Sequence, residues 1–336
     1  MSTYVILANP GHNRVYFKAS QNLALTEFSY LKIANLENIQ NVNIGGLPYV
    51  QFDTQNPLTT EELQAISRLS FAYAIFEKLP TSLLPLEKQP NYLFDEDIST
   101  ILKYNGKTNE IFTRMLLNIG VSLSPKNNLN ILDPLCGKGT TIFEGLLCGY
   151  NMHGIDVDQK SVDEAYTFLK KYLELGKYKH SSHKERQGLQ NYTATRQTIT
   201  LKNPQNPPQK LTAEFVTAET KDTSQLYRKN YFDIIIADLP YGVQHKKTNN
   251  KAKHSQNQNT ESRLPLVTQS LPAWHKVLSP KGVIILAYNL FLIAREELEQ
   301  ELTNNGFSLV MPKGDKSCIH RVDQAINRDI IIGIKL

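Results

Sequence analysis

The chain has 336 residues, a formal net charge of +5, 40% apolar and 21% charged side chains, the balance of a globular protein long enough for two domains. Three cysteines, Cys136, Cys148 and Cys318, show no metal spacing, and their odd number argues against a disulfide framework. No apolar run approaches the roughly 18 residues that span a bilayer. The opening MSTYVILANPGHNRVYF has no basic segment ahead of a long apolar one, so the expected compartment is cytoplasmic with no membrane partner.

Residues 1–95 read as a small α+β domain, ferredoxin-like in outline, that either binds RNA or braces the larger C-terminal part of the chain. Tyr4–Leu7 and Val15–Phe17 read as strands around the turn-rich Asn9-Pro10-Gly11-His12-Asn13. A helix is expected through Leu23, Leu25, Phe28, Leu31 and Ile33, and a strand at Tyr49–Phe52. Thr59 with Glu62 three residues on is a capping box. It opens a helix with the apolar stripe Leu63, Ile66, Leu69, Ala72 and Phe76. Proline-punctuated chain from Leu79-Pro80 to Gln89-Pro90 closes the segment.

Over residues 96–336, apolar runs alternate with helical patterns, the mark of an α/β domain with a mainly parallel sheet. Strands are expected at 129–133, 151–155, 213–217, 232–237, 282–288, 307–311 and 329–335. Helices are expected at 108–121, 139–148, 159–175, 265–278 and 291–305. The last two strands follow one another closely, so a terminal antiparallel hairpin completes a seven-stranded sheet. Two polar stretches, 176–210 and 245–263, read as loops or insertions. The first holds seven Lys/Arg against one acid and the second five against one, so the basicity is local. That footprint suits a phosphate-bearing partner as well as it suits plain solvated loops.

Four strand ends carry candidate chemistry. In Asn130-Ile131-Leu132-Asp133-Pro134-Leu135-Cys136-Gly137-Lys138-Gly139-Thr140-Thr141, a strand ends in an acid, a glycine turn follows, and a helix begins. The glycines allow close backbone approach and the helix start offers unpaired N–H groups. The turn matches neither the dinucleotide nor the P-loop spacing. One βαβ unit later, Asp156 in Gly154-Ile155-Asp156-Val157-Asp158 is placed to accept ribose hydroxyls, while Asp158 suits a helix cap equally. Glu219 ends the next strand, where an adenine amine or solvent would face it.

The fourth end is Asp238-Leu239-Pro240-Tyr241-Gly242. A carboxylate and a proline carbonyl there can accept both N–H groups of an exocyclic base amine. That draws the delocalised lone pair toward a tetrahedral nitrogen while the tyrosine stacks on the base. Attack on a methyl sulfonium then rests on positioning and electrostatics.

Asp133-Pro134-x-Cys136-Gly137-x-Gly139-Thr140 and Asp238-x-Pro240-Tyr241-Gly242 resemble motifs I and IV of S-adenosylmethionine-dependent amino-methyltransferases. The likeness is greatest to the tRNA guanine-N2 methyltransferases whose relatives often carry THUMP domains. Tyr104-Asn105-Gly106-Lys107-Thr108-Asn109 resembles their motif ahead of the first strand. His320-Arg321-Val322-Asp323 with Arg328-Asp329 resembles their last hairpin. The resemblance, over residues 95–336, implies a Rossmann-like class I methyltransferase that uses S-adenosyl-L-methionine. It also implies that Asp133, Gly137 and Gly139 line the methionine end, Asp156 the ribose and Glu219 the adenine. Thr108, Cys136, Thr140 and Asp238 would complete the cofactor site. Asp238, Pro240 and Tyr241 would hold the base.

Cys136 is read as a small packing residue rather than a nucleophile. His180, His183, His245 and His254 lack cysteine partners, so no metal is expected. Tyr288 and Asn289 end another strand, with core packing the better reading for the tyrosine. Guanine N2 in tRNA is the leading acceptor. The alternatives are guanine N2 in rRNA, adenine N6 or cytosine N4 in DNA, and a non-catalytic nucleic-acid-binding module.

Overall fold

A computed structural model describes the chain except residues 11–13, 32, 34, 35, 105, 207, 208, 241–263, 312–317 and 323. Tyr241 and the 245–263 insertion therefore lie outside the described residues, as do Asn105 and Asp323.

The N-terminal segment runs β1 (Ser2–Ala8), α1 (Arg14–Tyr30), β2 (Leu36–Ile44), β3 (Leu47–Thr54), α2 (Thr60–Ser67), β4 (Ala72–Lys78) and β5 (Leu83–Leu86). Its antiparallel sheet has the order β2-β3-β1-β4-β5, a ferredoxin-like βαββαβ sheet with one added edge strand. Val15–Phe17 is helical rather than extended. No Gly or Pro interrupts Arg14–Tyr30, so helix propagates through a triplet whose composition favours strand. The capping box is present, with Thr59 and Glu62 exchanging bonds, but α2 stops at Ser67. The Glu27 carboxylate accepts the Ser70 N–H at 3.0 Å and turns the chain, and Ala72–Lys78 joins β1 as a strand.

The remaining elements are α3 (Asp97–Thr100), α4 (Glu110–Leu123), β6 (Asn130–Asp133), α5 (Thr140–Leu147), β7 (Asn151–Asp156), α6 (Gln159–Leu175), β8 (His180–Gly188), β9 (Thr193–Lys202) and β10 (Lys210–Thr217). After a 3-10 turn at Thr220–Asp222 come α7 (Thr223–Leu226), β11 (Phe232–Asp238), α8 (Leu264–Val277), β12 (Leu278–Asn289), α9 (Arg295–Asn304), β13 (Phe307–Leu309), β14 (His320–Arg321) and β15 (Asn327–Lys335). The seven expected strands lie in the order β10-β7-β6-β11-β12-β15-β13, with β15 antiparallel between β12 and β13.

The sheet is larger than expected. It has ten strands among the described residues, because β8 and β9 extend it beyond β10 and β14 pairs with β15. The 180–202 stretch is thus an antiparallel hairpin and not a loop. Its polar composition hides the strand pattern because buried positions on β9 hold Arg196 and Gln197, each paired. Arg196 reaches Glu214 at 2.5 Å and Gln197 donates to Asp163 at 2.7 Å.

Alternate residues of each central strand serve opposite cores. Ile131, Ile234 and Ile285 pack with α4, α5 and α6, whereas Leu132, Ile235 and Ile284 pack with α8 and α9. The N-terminal segment docks on α4 through its helices α1 and α2. Asn118 of α4 donates to the Glu27 carboxylate at 2.6 Å and to the Arg68 carbonyl at 2.8 Å. Leu93 N–H donates to the Leu147 carbonyl at 2.9 Å.

Candidate active site

The chain from β6 leads outward to β7 and β10, and from β11 to β12 on the other side. The carboxyl ends of β6 and β11 therefore flank the switch point of the sheet, where open α/β sheets bind ligands. Asp133 ends β6 and Asp238 ends β11. Asp156 ends β7, and Glu219 follows β10. The four acids form a row over four neighbouring parallel strands, about 14 Å at the usual ~4.8 Å spacing.

The glycine turn is built for a close approach. Gly137 and Gly139 have φ of +49° and +86°, and Gly139 N–H donates to the Cys136 carbonyl at 2.8 Å. A Cβ on Gly137 would meet nothing within 4 Å, so the turn faces open space. A Cβ on Gly139 would press on Phe143 at 3.2 Å, so that glycine serves helix packing too. Thr140 opens α5 and shares a hydrogen bond with the Tyr104 hydroxyl at 2.9 Å.

Cys136 packs beneath the turn, where a Cβ on Gly154 would come 2.7 Å from its sulfur. Burial, then the charges of Asp133 and Asp156, hold its thiol protonated well above the ordinary range. It is a packing thiol, as its place in the sequence implies.

Asp133 is 3% exposed. Its carboxylate accepts the Leu135 N–H at 3.0 Å and a bond from Thr141. Burial outweighs these donors, and the neighbouring charges of Asp156 and Asp238 add to it, pushing its pKa up to about 7. Asp156 is also raised, first by burial. Its two oxygens accept the Gly137 and Asp158 N–H groups, each at 2.8 Å, which ties the glycine turn to the end of β7. Asp158 caps α6, accepting from Lys160 N–H and the Ser161 hydroxyl.

Thr108 crosses the edge of the sheet to Asp238. Its hydroxyl donates to the Asp238 carboxylate at 2.6 Å, and Asn109 beside it caps α4. Arg328 approaches the same carboxylate oxygen at 3.7 Å while its guanidinium lies 4.4 Å over the Phe112 ring. Leu239 is buried and its N–H bonds the Ala287 carbonyl, so the chain leaves β11 with Pro240 exposed at the rim. Glu219 stands at the far end of the row, exposed, at the start of the 3-10 turn.

Structure thus brings together Thr108, Asp133, Cys136, Gly137, Gly139, Thr140, Asp156 and Asp238, with Pro240 beside them and Glu219 one strand beyond Asp156. Tyr288 is core, its hydroxyl donating to Asp329 at 3.1 Å. Asn289 is locked in a turn by Asn327 and Ala325. Among the described residues no group of His, Cys, Asp and Glu is arranged to hold a metal ion.

Three neighbours escape sequence reasoning as parts of this edge. Arg328 reaches it because antiparallel β15 starts where the parallel strands end. Tyr192, at the tip of the β8–β9 hairpin, accepts the Glu219 N–H at 2.7 Å and donates to Asp222 at 3.0 Å. Val157, 65% exposed, offers an apolar shelf next to Asp156. The sequence signals them only indirectly, Val157 as an isolated apolar residue after a strand-end acid and Arg328 through the last-hairpin resemblance.

A family model described as the RMKL-like methyltransferase domain matches residues 107–280, just over half of the chain, from the Thr108 segment past Asp238. The chain belongs to this family. Its fold is similar to that of TrmN from Thermus thermophilus, with a TM-score of 0.50 and 12% identity over 100% of both chains. Other similar structures include magnesium protoporphyrin IX methyltransferase from Synechocystis with bound SAM (TM-score 0.38, 14% identity, 71% of this chain and 90% of that one). A SAM-dependent methyltransferase from Methanosarcina mazei has a TM-score of 0.39 and 17% identity over 63% of this chain and 95% of that one. Comparison with curated protein sequences gives no match.

The protein is therefore a Rossmann-like class I methyltransferase that uses S-adenosylmethionine. The site suits that group, with an open glycine turn, a buried acid held near neutrality and an apolar shelf in one row. No described helix is long and apolar enough to cross a membrane.

Proposed function

We propose that this methyltransferase acts on an exocyclic amine of a nucleic-acid base, with guanine N2 in tRNA as the acceptor. The observation that carries the reading is the end of β11. Asp238, fixed by Thr108 and accompanied by the buried Arg328, precedes an exposed Pro240 and then Tyr241 and Gly242 in sequence.

When bound, S-adenosylmethionine supplies an electrophilic methyl group on a sulfonium. On the cofactor side, Gly137 and Asp133 would face the methionine portion, Asp156 the ribose hydroxyls, and Val157 and Glu219 the adenine. On the acceptor side, the Asp238 carboxylate and the Pro240 carbonyl would each accept one N–H of the base amine. Both bonds withdraw the nitrogen lone pair from the ring system and point it at the methyl carbon. Arg328, 3.7 Å from the Asp238 carboxylate, and the Thr108 hydroxyl hold that carboxylate in place at the end of β11. Asp238 then takes up the proton that the methylated amine releases. Tyr241 would stack on the extracted base.

For the N-terminal segment we propose the bracing role. Glu27 of α1 and the Arg68 carbonyl at the end of α2 join the segment to Asn118 of α4, the helix that Thr108 and its cap Asn109 lead into. Its own charge is not that of a nucleic-acid grip, with six Lys/Arg against eight acids in residues 1–95.

The test is transfer of labelled methyl from S-adenosylmethionine to unmodified tRNA, rRNA and genomic DNA in separate reactions, followed by digestion to nucleosides. Label in N2-methylguanosine from tRNA is the expected result. Label in DNA adenine or cytosine overturns the acceptor and leaves the amine chemistry standing. Label on a carbon or ribose position overturns the chemistry.

A further inference from the structure

We propose that the β8–β9 hairpin is a docking edge for the phosphate backbone of the RNA substrate, a role that rests on the acceptor being a nucleic acid. The sheet ends at β8, whose outward edge pairs with no other described strand and whose residues are mostly exposed. Residues 176–210 carry seven Lys/Arg and one acid, and the hairpin gathers most of that charge in ordered structure.

Lys202 and Lys210 lie directly opposite each other on β9 and β10, and Lys202 N–H bonds the Lys179 carbonyl at 3.1 Å. Three lysines therefore stand side by side at the end of the hairpin away from Tyr192. Lys184 and Arg186 lie farther along β8, and strand alternation puts them on its other face, so cations flank the edge from both sides. The only acid, Glu185, is taken up by Arg196 at 3.4 Å and His183 at 3.7 Å, and Lys184 comes within 3.7 Å of Asp163. Lys179, Arg186, Lys202 and Lys210 make no ion pair among the described residues.

Charged edge strands protect a sheet from pairing with its own kind, and either sign of charge would serve. Like charges set directly opposite one another cost stability, which a solubility role does not require. A polyanion offsets that cost. Pairing of two β8 edges would bring the same cations face to face, so a second copy is the poorer occupant.

Placement fits the active site. Tyr192 ties the hairpin tip to the turn that bears Glu219, so one end of β8 lies at the catalytic edge. From there its nine residues extend about 30 Å. The edge lies five strands from β11, about 24 Å, which suits backbone contacts made while a base from the same RNA reaches Asp238.

The experiment compares the wild-type protein with the quadruple variant Lys179→Gln, Lys184→Gln, Arg186→Gln, Lys202→Gln. Binding of unmodified tRNA is measured by fluorescence anisotropy across a salt series. The variant is expected to bind at least about tenfold more weakly near 0.1 M salt, with a salt slope shallower by about 2 to 3. Affinity for S-adenosylhomocysteine stays unchanged, the melting temperature does not fall, and the three Lys→Arg substitutions with Arg186 retained restore RNA binding.

Equal affinity and equal slope for the two proteins overturn the proposal, as does a wild-type protein that binds no nucleic acid. A wild-type dimer that the substitutions dissociate without altering RNA affinity also overturns it. If duplex DNA binds in place of tRNA and shows the same loss, the surface stands and the tRNA acceptor falls.

Discussion

The same sheet buries carboxylates in two ways. Beneath β7, β10 and β9, Glu214 is surrounded by donors: Arg196 and the Tyr227 hydroxyl each at 2.5 Å and His153 at 3.2 Å. Burial alone would raise its pKa, but the His153 bond and charge, then those of Arg196, hold it down at about 2. At the carboxyl edge, Asp133 is as deeply buried with fewer donors and two acids nearby, and its pKa rises to about 7. A buried acid that its own fold satisfies is a fastener. One that its fold leaves under-compensated stores a preference for a cationic or donating ligand. The first kind secures the hairpin to the sheet, and the second kind lies at the candidate site.

The sharpest way to break this contrast is Asp238→Ala. Methyl transfer to tRNA should fall about a thousandfold under single-turnover conditions, while affinity for S-adenosylhomocysteine stays within about threefold and the melting temperature holds. A parallel loss of folding would make Asp238 a fastener as well. Glu214→Ala should do the opposite, costing about 3 kcal/mol in denaturant unfolding because Arg196, His153 and Tyr227 lose their common buried acceptor and Arg196 keeps only the exposed Glu185 as an ionic partner. With a depressed native pKa, the contribution of Glu214 is present above about pH 4.5 and is lost as pH falls toward 2.

Asp133→Asn should separate stability from binding. Because its native pKa is raised from the ordinary 3.8 to about 7, the wild-type protein loses stability as pH climbs between those values. The substitution should therefore stabilise the ligand-free protein by about 1–3 kcal/mol above pH 7, yet weaken S-adenosylmethionine binding in calorimetry. The smallest effect belongs to Tyr192→Phe. Without its hydroxyl the Glu219 turn loosens, and affinity for S-adenosylhomocysteine should drop about threefold with the methyl-transfer rate at saturation unchanged. An equal drop in that rate would give the hairpin tip a part in the chemistry.

How much of the molecule the sequence reveals depends on how each element hides its polar groups. Strands such as Phe232–Asp238 are buried on both faces, so they read as apolar runs that end in an acid. The placing of Asp133, Asp156 and Asp238 at neighbouring strand ends was legible for that reason. The β8–β9 hairpin was illegible because Arg196 and Gln197 fill positions where an apolar residue would signal a strand. At Leu69–Phe76 an apolar run fits helical spacing and strand alternation alike, and the Glu27–Ser70 contact decides between them. Arg328 could not be placed at Asp238 from spacing, since ninety residues separate them and only the insertion of β15 between β12 and β13 joins the two.

Site-resolved carbon NMR titration of the Asp133 and Glu214 carboxyls, assigned with the Asp133→Asn and Glu214→Gln variants, tests the contrast most directly. The expected midpoints are near 7 for Asp133 and near 2 for Glu214, with S-adenosylmethionine moving the first downward and leaving the second in place. Two midpoints near the ordinary carboxylate value, both indifferent to the ligand, would contradict that contrast.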